Sequence, residues 1–261
     1  MRIYVIAIVL AGCSKPGHRD DRIATSGGDA QAGAPGARAD AASVVALADA
    51  AASDAPPDAP AVAIVDAPMK WNAERERLTL DYRRAHSDAN AKDVAIDPRV
   101  IVLHYTGGNS AKGTRTYFDN VKIEAARKQL ARGGAVNVSA HFLVDRDGTI
   151  YRLQPETRFA RHCIGLNHIA IGIENVGDGD KYPLTDAQVV ANAALVRDLA
   201  SRFRITHLLG HYEVMRFRDH EYYVELDPAY KNDKGDPGAA FMEAVRKRVA
   251  DLRLSGLEQA P

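Results

Sequence analysis

The chain has 261 residues, 46% of them hydrophobic, and its 34 basic residues balance 34 acidic ones to a formal net charge of zero. That length fits one or two domains, and the charge balance excludes a protein built to coat nucleic acid, which needs a basic excess. No apolar run approaches the roughly 20 residues of a membrane-crossing helix, and two cysteines, Cys13 and Cys163, cannot make a disulfide framework.

From the N-terminus, Arg2 precedes a short apolar stretch that ends in the small residues Ala11 and Gly12, a compressed secretory signal. Leu10-Ala11-Gly12-Cys13 resembles a bacterial lipobox. Residues 1–12 are therefore expected to be a lipoprotein signal peptide, with Cys13 as the lipidation site that ties the protein to a membrane. An ordinary signal peptide with a chance cysteine is the plainer alternative. Ser14 rather than Asp follows Cys13. By resemblance to enterobacterial sorting, this favours a periplasmic, lipid-anchored location on the outer membrane of a Gram-negative bacterium. Residues 13–68 are rich in Ala, Asp, Gly and Pro and lack aromatics. Such a stretch buries too little apolar surface to offset its ordering entropy, so a disordered tether is expected. The folded domain is expected over residues 69–261.

Within that domain Glu74–Arg84 reads as a charged helix, and Val100–Leu103 as a buried strand. Helical spacing through Tyr117, Phe118, Val121, Ile123 and Leu130 predicts a helix over 114–130, stopped by Gly133-Gly134. Val138–Val144 and Thr149–Leu153 flank Asp145-Arg146-Asp147-Gly148 and predict a hairpin, because a Gly after Asp supplies the positive φ of a tight turn. Ile169–Val176 reads as a strand. Thr185-Asp186-Ala187-Gln188 is a capping box opening a helix to about Phe203. A short strand at Ile205–Leu209 and a helix over about 239–254 complete the chain. The alternation predicts an α/β fold, a mixed central sheet flanked by helices.

Chemistry-bearing residues stand near predicted strand ends. His104 closes the first strand, His211 follows the last, and Asp236 precedes the last helix. Two His and one Asp with an open fourth position suit a catalytic zinc. Glu174 lies inside an apolar strand, which is costly unless it is paired or faces a site. Taken singly each is a weak signal, since a lone strand-end histidine is as readily a hydrogen-bonded structural residue.

Taken together, Val102-Leu103-His104-Tyr105-Thr106, Val138–Val144 with Asp147–Ile150, Ala160-Arg161-His162, Ile171-Gly172-Ile173-Glu174, Gly210-His211 and Lys234-Gly235-Asp236-Pro237-Gly238 resemble the zinc-dependent N-acetylmuramoyl-L-alanine amidases, the group that includes phage amidases and peptidoglycan recognition proteins. The resemblance runs from about Arg99 to Phe241. It implies zinc (Zn2+) held by His104, His211 and Asp236, with Glu174 handling the proton and Lys234 stabilising developing negative charge. The implied partner is a peptidoglycan muropeptide, cut between N-acetylmuramic acid and L-alanine for wall remodelling or recycling. Tyr105, Asn109, Arg161 and His162 are the expected substrate contacts, and a monomer is expected. The alternative is a non-catalytic peptidoglycan-binding lipoprotein. A serine or cysteine hydrolase is disfavoured, because no Gly-x-Ser-x-Gly elbow accompanies these histidines.

The sequence departs from the pattern at three points. Ala140 stands where many relatives carry a Tyr, Asp236 where some carry a Cys ligand, and the stretch between His211 and Lys234 is long and aromatic-rich. That stretch is either a wall of the substrate groove or a surface insertion. His141 is expected to be a satisfied core histidine, and Cys163 a small buried thiol.

Overall fold

The computed structural model describes residues 62–256. The expected signal peptide, Cys13 and most of the expected tether lie outside them. In chain order the elements are strand β1 (Ile64–Asp66), helix α1 (Ala73–His86), β2 (Val100–Tyr105), α2 (Ala111–Phe118), α3 (Lys128–Arg132), β3 (Phe142–Val144), β4 (Ile150–Arg152), β5 (Ala170–Asn175), α4 (Asp186–Arg202), β6 (His207–Gly210), a 3-10 helix over His211–Phe217, and α5 (Ala239–Arg248).

One six-stranded mixed sheet runs in the order β1-β4-β3-β5-β2-β6. β2 pairs in parallel with β5 and β6, β5 with β3, and β1 with β4, while β3 and β4 are antiparallel. Val100 to Leu103 are fully buried, as expected of a parallel strand covered on both faces. Ile101, Leu103, Phe142, Ile171 and Ile173 pack under Leu195 and Leu199 of α4 and Met242 and Val245 of α5. The alternate residues Val100 and Val102 pack on the other face with Leu166, Val214 and Phe217. Since successive strand residues point to opposite faces, His104 and Glu174 belong to this second face.

Two expectations are corrected. Residues 64–66 were expected in the tether but form edge strand β1. Backbone hydrogen bonds from Ala67 to Arg152 (3.0 Å) and from Met69 to Leu153 (2.9 Å) extend that pairing. The helix expected over 114–130 is two short helices. Between them Ile123 donates to Ala135 and Asn137 to Val121, so the β-branched Val121 and Ile123 follow the two-residue period of extended chain. Part of the aromatic stretch after His211, for which two readings stood open, packs against the core. Tyr222 and Tyr223 join the second-face cluster, and Tyr230 joins Tyr82 and Phe159.

Other local signals hold. Asp145 donates to Thr149 across the hairpin turn, and Gly148 adopts φ 89° there, a conformation that suits glycine. The strands it joins are shorter than expected. Thr185 and Gln188 form the reciprocal capping box of α4.

Candidate active site

Three segments far apart in sequence meet at the C-terminal end of β2. His104 is near the end of that strand, His211 follows β6, and Asp236 lies just before α5; all three are buried. Nδ1 of His104 and Nδ1 of His211 are 2.9 Å apart, and Oδ2 of Asp236 is 3.2 Å from the first and 3.3 Å from the second. Such a group could hold a metal ion. The fit to zinc is good in donor chemistry and in spacing. Two imidazoles and one carboxylate make an open three-ligand set, and tetrahedral bonds of about 2.0–2.2 Å separate ligand atoms by roughly 3.3 Å.

Electrostatics bind the group together. Burial, then the neighbouring His211, lowers the His104 imidazole to about 4, keeping it neutral with a lone pair to offer. Burial alone would raise the Asp236 carboxyl, but His211 and His104 hold it far below the ordinary carboxylate range.

Glu174 pairs directly with His104 in the β2–β5 register, so both side chains leave the same face. Burial, then Asp236, pushes its carboxyl up to about 8, with Lys234 and Arg127 pulling the other way. Its Oε2 is buried with no hydrogen-bond partner. A carboxyl on this face with a free oxygen and a pKa near neutrality is suited to proton transfer. Lys234 sets its positive charge against both His104 and Glu174.

The expected substrate contacts fare differently. His162 is drawn into the cluster, its Nδ1 lying 3.0 Å from Nε2 of His104. Burial, then His104 and His141, holds it well below its ordinary pKa. Tyr105 alternates to the opposite side of β2 from His104, and Asn109 is exposed ahead of α2; neither joins the cluster. Arg161 is corrected outright. It is 3% exposed, and its guanidinium donates to the carbonyls of Leu130, Gly134 and Val136 and to the Tyr230 hydroxyl. Every one of those partners is structural, so the side chain is a buried clamp rather than a hand held out to a ligand.

His141 is fully buried. Its Nδ1 accepts from the Gly172 amide (3.0 Å) and its Nε2 donates to the Arg158 carbonyl (2.8 Å). Cys163 is a buried free thiol whose pKa burial raises well above the ordinary value. One residue escaped the sequence reading. Arg127, at the N-terminus of α3, directs its charge toward Glu174 and donates to the Tyr117 hydroxyl (2.7 Å). A continuous helix over 114–130 would have hidden it on a solvent face.

The profile of the family described as Amidase_2, N-acetylmuramoyl-L-alanine amidase, matches residues 94–239. Among curated proteins, the endolysin of Escherichia phage T7 is 31% identical over 100 residues, 36% of this chain and 66% of the endolysin. Peptidoglycan-recognition protein SC2 of Drosophila simulans is 29% identical over 116 residues, 43% of this chain and 62% of that protein. The chain thus spans less than two thirds of the length of either relative. Among solved structures, the N-acetylmuramoyl-L-alanine amidase endolysin LysCS from Clostridium intestinale URNW matches with a TM-score of 0.46 and 24% identity, over 72% of this chain and 95% of that one.

Proposed function

The chain belongs to the N-acetylmuramoyl-L-alanine amidase family, and from that premise we propose that it is a zinc-dependent hydrolase of the amide bond between N-acetylmuramic acid and L-alanine in peptidoglycan or its fragments. The observation that carries this reading is the convergence of His104, His211 and Asp236, with Glu174 opposite His104 in register. A binding module has no use for a half-buried carboxyl with one buried, unpartnered oxygen beside an open ligand set. A hydrolase uses both.

On this reading His104, His211 and Asp236 would hold the ion. Zinc supplies Lewis acidity there: it polarises a carbonyl oxygen and makes water acidic near neutral pH. Glu174 takes a proton from the attacking water and delivers it to the departing L-alanine nitrogen. Lys234 places its ammonium where negative charge develops on the former carbonyl oxygen. Arg127 keeps the Glu174 carboxyl from rising further and so preserves its ability to accept.

The second reading is a peptidoglycan-binding protein without turnover, suggested by the recognition-protein relative. Purified sacculi separate the two. New L-alanine amino termini, detected by mass spectrometry, that vanish with chelator and return with zinc support the amidase. Tight sacculus binding with no new termini overturns it. The cellular setting that suits this substrate is the periplasm. There the lipid on Cys13 would hold the domain at the outer membrane, and residues 13–61 would give it reach. Labelling with a clickable fatty acid in the native host, with Cys13→Ser as control, tests the anchor.

A further inference from the structure

The histidine beside the candidate ligands reaches its position through a glycine. An ideal Cβ built on Gly172 of β5 would lie 2.6 Å from Cγ and 2.7 Å from Nδ1 of His162. No real side chain tolerates such a contact without moving the ring. Gly172 therefore provides the bed on which the His162 ring lies, face to backbone. From that bed Nδ1 of His162 is 3.0 Å from Nε2 of His104, and Nε2 of His162 is 3.3 Å from the carbonyl of Ala170.

Those two distances fix where the protons sit. A backbone carbonyl can only accept, so Nε2 of His162 carries the hydrogen. In the neutral ring Nδ1 is then an acceptor. Nε2 of His104 donates to it, and the lone pair of a neutral His104 is left on Nδ1, 2.9 Å from Nδ1 of His211. The hydrogen that the Asp236 carboxylate accepts then comes from Nδ1 of His211, 3.3 Å away, rather than from His104 at 3.2 Å. The opposite tautomer would put a lone pair of His162 against the Ala170 carbonyl oxygen. His211 has no such support, because its Nε2 is buried with no partner. Tautomer control of the ligand set thus falls on one side of it.

We propose that His162, bedded on Gly172 and steered by the Ala170 carbonyl, is a positioning residue that presents the Nδ1 lone pair of His104 to the metal ion, rather than a substrate contact. This deepens the zinc reading and rests on it. Ligating histidines in general are oriented by whatever their second nitrogen meets, and loss of such a partner typically weakens metal affinity about 10–100-fold.

The test uses the full chain and two readouts other than turnover. Zinc affinity is measured by competition with a chromogenic chelator. The tautomer of His104 is read in the zinc-free protein from long-range nitrogen–proton couplings in histidine-labelled samples. His162→Phe fills the space without an acceptor, and Gly172→Ala pushes the ring off its bed. Both are expected to weaken zinc by about 10–100-fold and to depopulate the Nε2–H form of His104. His162→Asn, whose Oδ1 stands near the position of Nδ1, is expected to recover part of both. A variant that loses its cooperative thermal transition is set aside in favour of the others. Unchanged affinity and an unchanged His104 tautomer in folded His162→Phe overturn the proposal. If the parent chain binds no zinc, the zinc reading fails, while the tautomer readout still decides whether His162 steers His104.

Discussion

His104 and Glu174 occupy paired positions on the neighbouring parallel strands β2 and β5, so the first candidate ligand and the candidate proton carrier project side by side from one face of the sheet. The pairing fixes their separation by backbone hydrogen bonds rather than by loop conformation. This allows the two to be perturbed independently. Glu174→Gln keeps shape and removes only the proton-carrying oxygen. Turnover of sacculi is expected to fall about 10²–10⁴-fold with zinc content unchanged by elemental analysis.

Asp236→Ala removes the one carboxylate that both histidines face. Zinc content of the purified chain should fall to near zero. Turnover should drop by more than the roughly 10–100-fold that loss of a mere supporting partner costs. Added zinc in the millimolar range should restore part of it. Full activity with an empty site would remove the metal from the mechanism.

Arg161→Met tests whether this side chain is a structural clamp or a substrate contact. Three carbonyls and the Tyr230 hydroxyl lose their donor. Stability in urea is expected to fall by roughly 1–3 kcal/mol or more, because buried neutral acceptors are left without a donor. KM for muropeptides measured below the transition should stay within about twofold. A large rise in KM without loss of stability would return Arg161 to the groove.

His141 gives a pH dependence with a definite sign. Burial pushes its imidazole down to about 4, below the value of 6.5 for an ordinary histidine. The unfolded chain therefore binds the proton more readily between those values. The contribution of His141 is present in full above pH 6.5 and is lost as the pH falls from 6.5 towards 4, roughly 3 kcal/mol at most. Urea unfolding at pH 7.5 and pH 5 should show a steep loss in the parent chain. The loss should be smaller in His141→Gln, which is less stable at pH 7.5 but has no imidazole to protonate at this position.

A chain beginning at Met69 lacks β1 and the Ala67–Arg152 hydrogen bond that continues it. It is expected to be less stable than one beginning at residue 62 by roughly 1–3 kcal/mol, from lost backbone hydrogen bonds and apolar cover. Equal melting temperatures for the two would show that β1 contributes nothing.

What could be read from the sequence was what is written locally. Val100–Leu103 announces a buried strand by composition, Asp147-Gly148 a turn by conformational need, and Thr185 with Gln188 a helix start by reciprocal capping. Each depends on residues a few positions apart. β1 did not show, because three residues in an Ala- and Pro-rich context become a strand only when β4 offers them partners. Val121 and Ile123 carry a helical spacing yet lie in extended chain for the same reason, their partners being Asn137 and Ala135. At the site, residue types suggested zinc chemistry but not the role of each neighbour. Arg161 and His162 are adjacent in sequence, yet one is buried under carbonyls from residues 130–136 and the other leans on Gly172. Those surroundings come from the tertiary fold, so a charged side chain beside a histidine read as a ligand hook when it is a clamp.

The order of the sheet also has a mechanical meaning. The described chain enters at β1, on one edge, whereas His104 stands on β2, four strands away in the order β1-β4-β3-β5-β2. At about 4.8 Å per strand that is roughly 19 Å across the sheet. Tension arriving along the preceding chain would be taken first by the β1–β4 hydrogen bonds, and the strand carrying His104 would bear load only after that edge had given way. The edge strand would thus act as a mechanical fuse for the chemistry behind it.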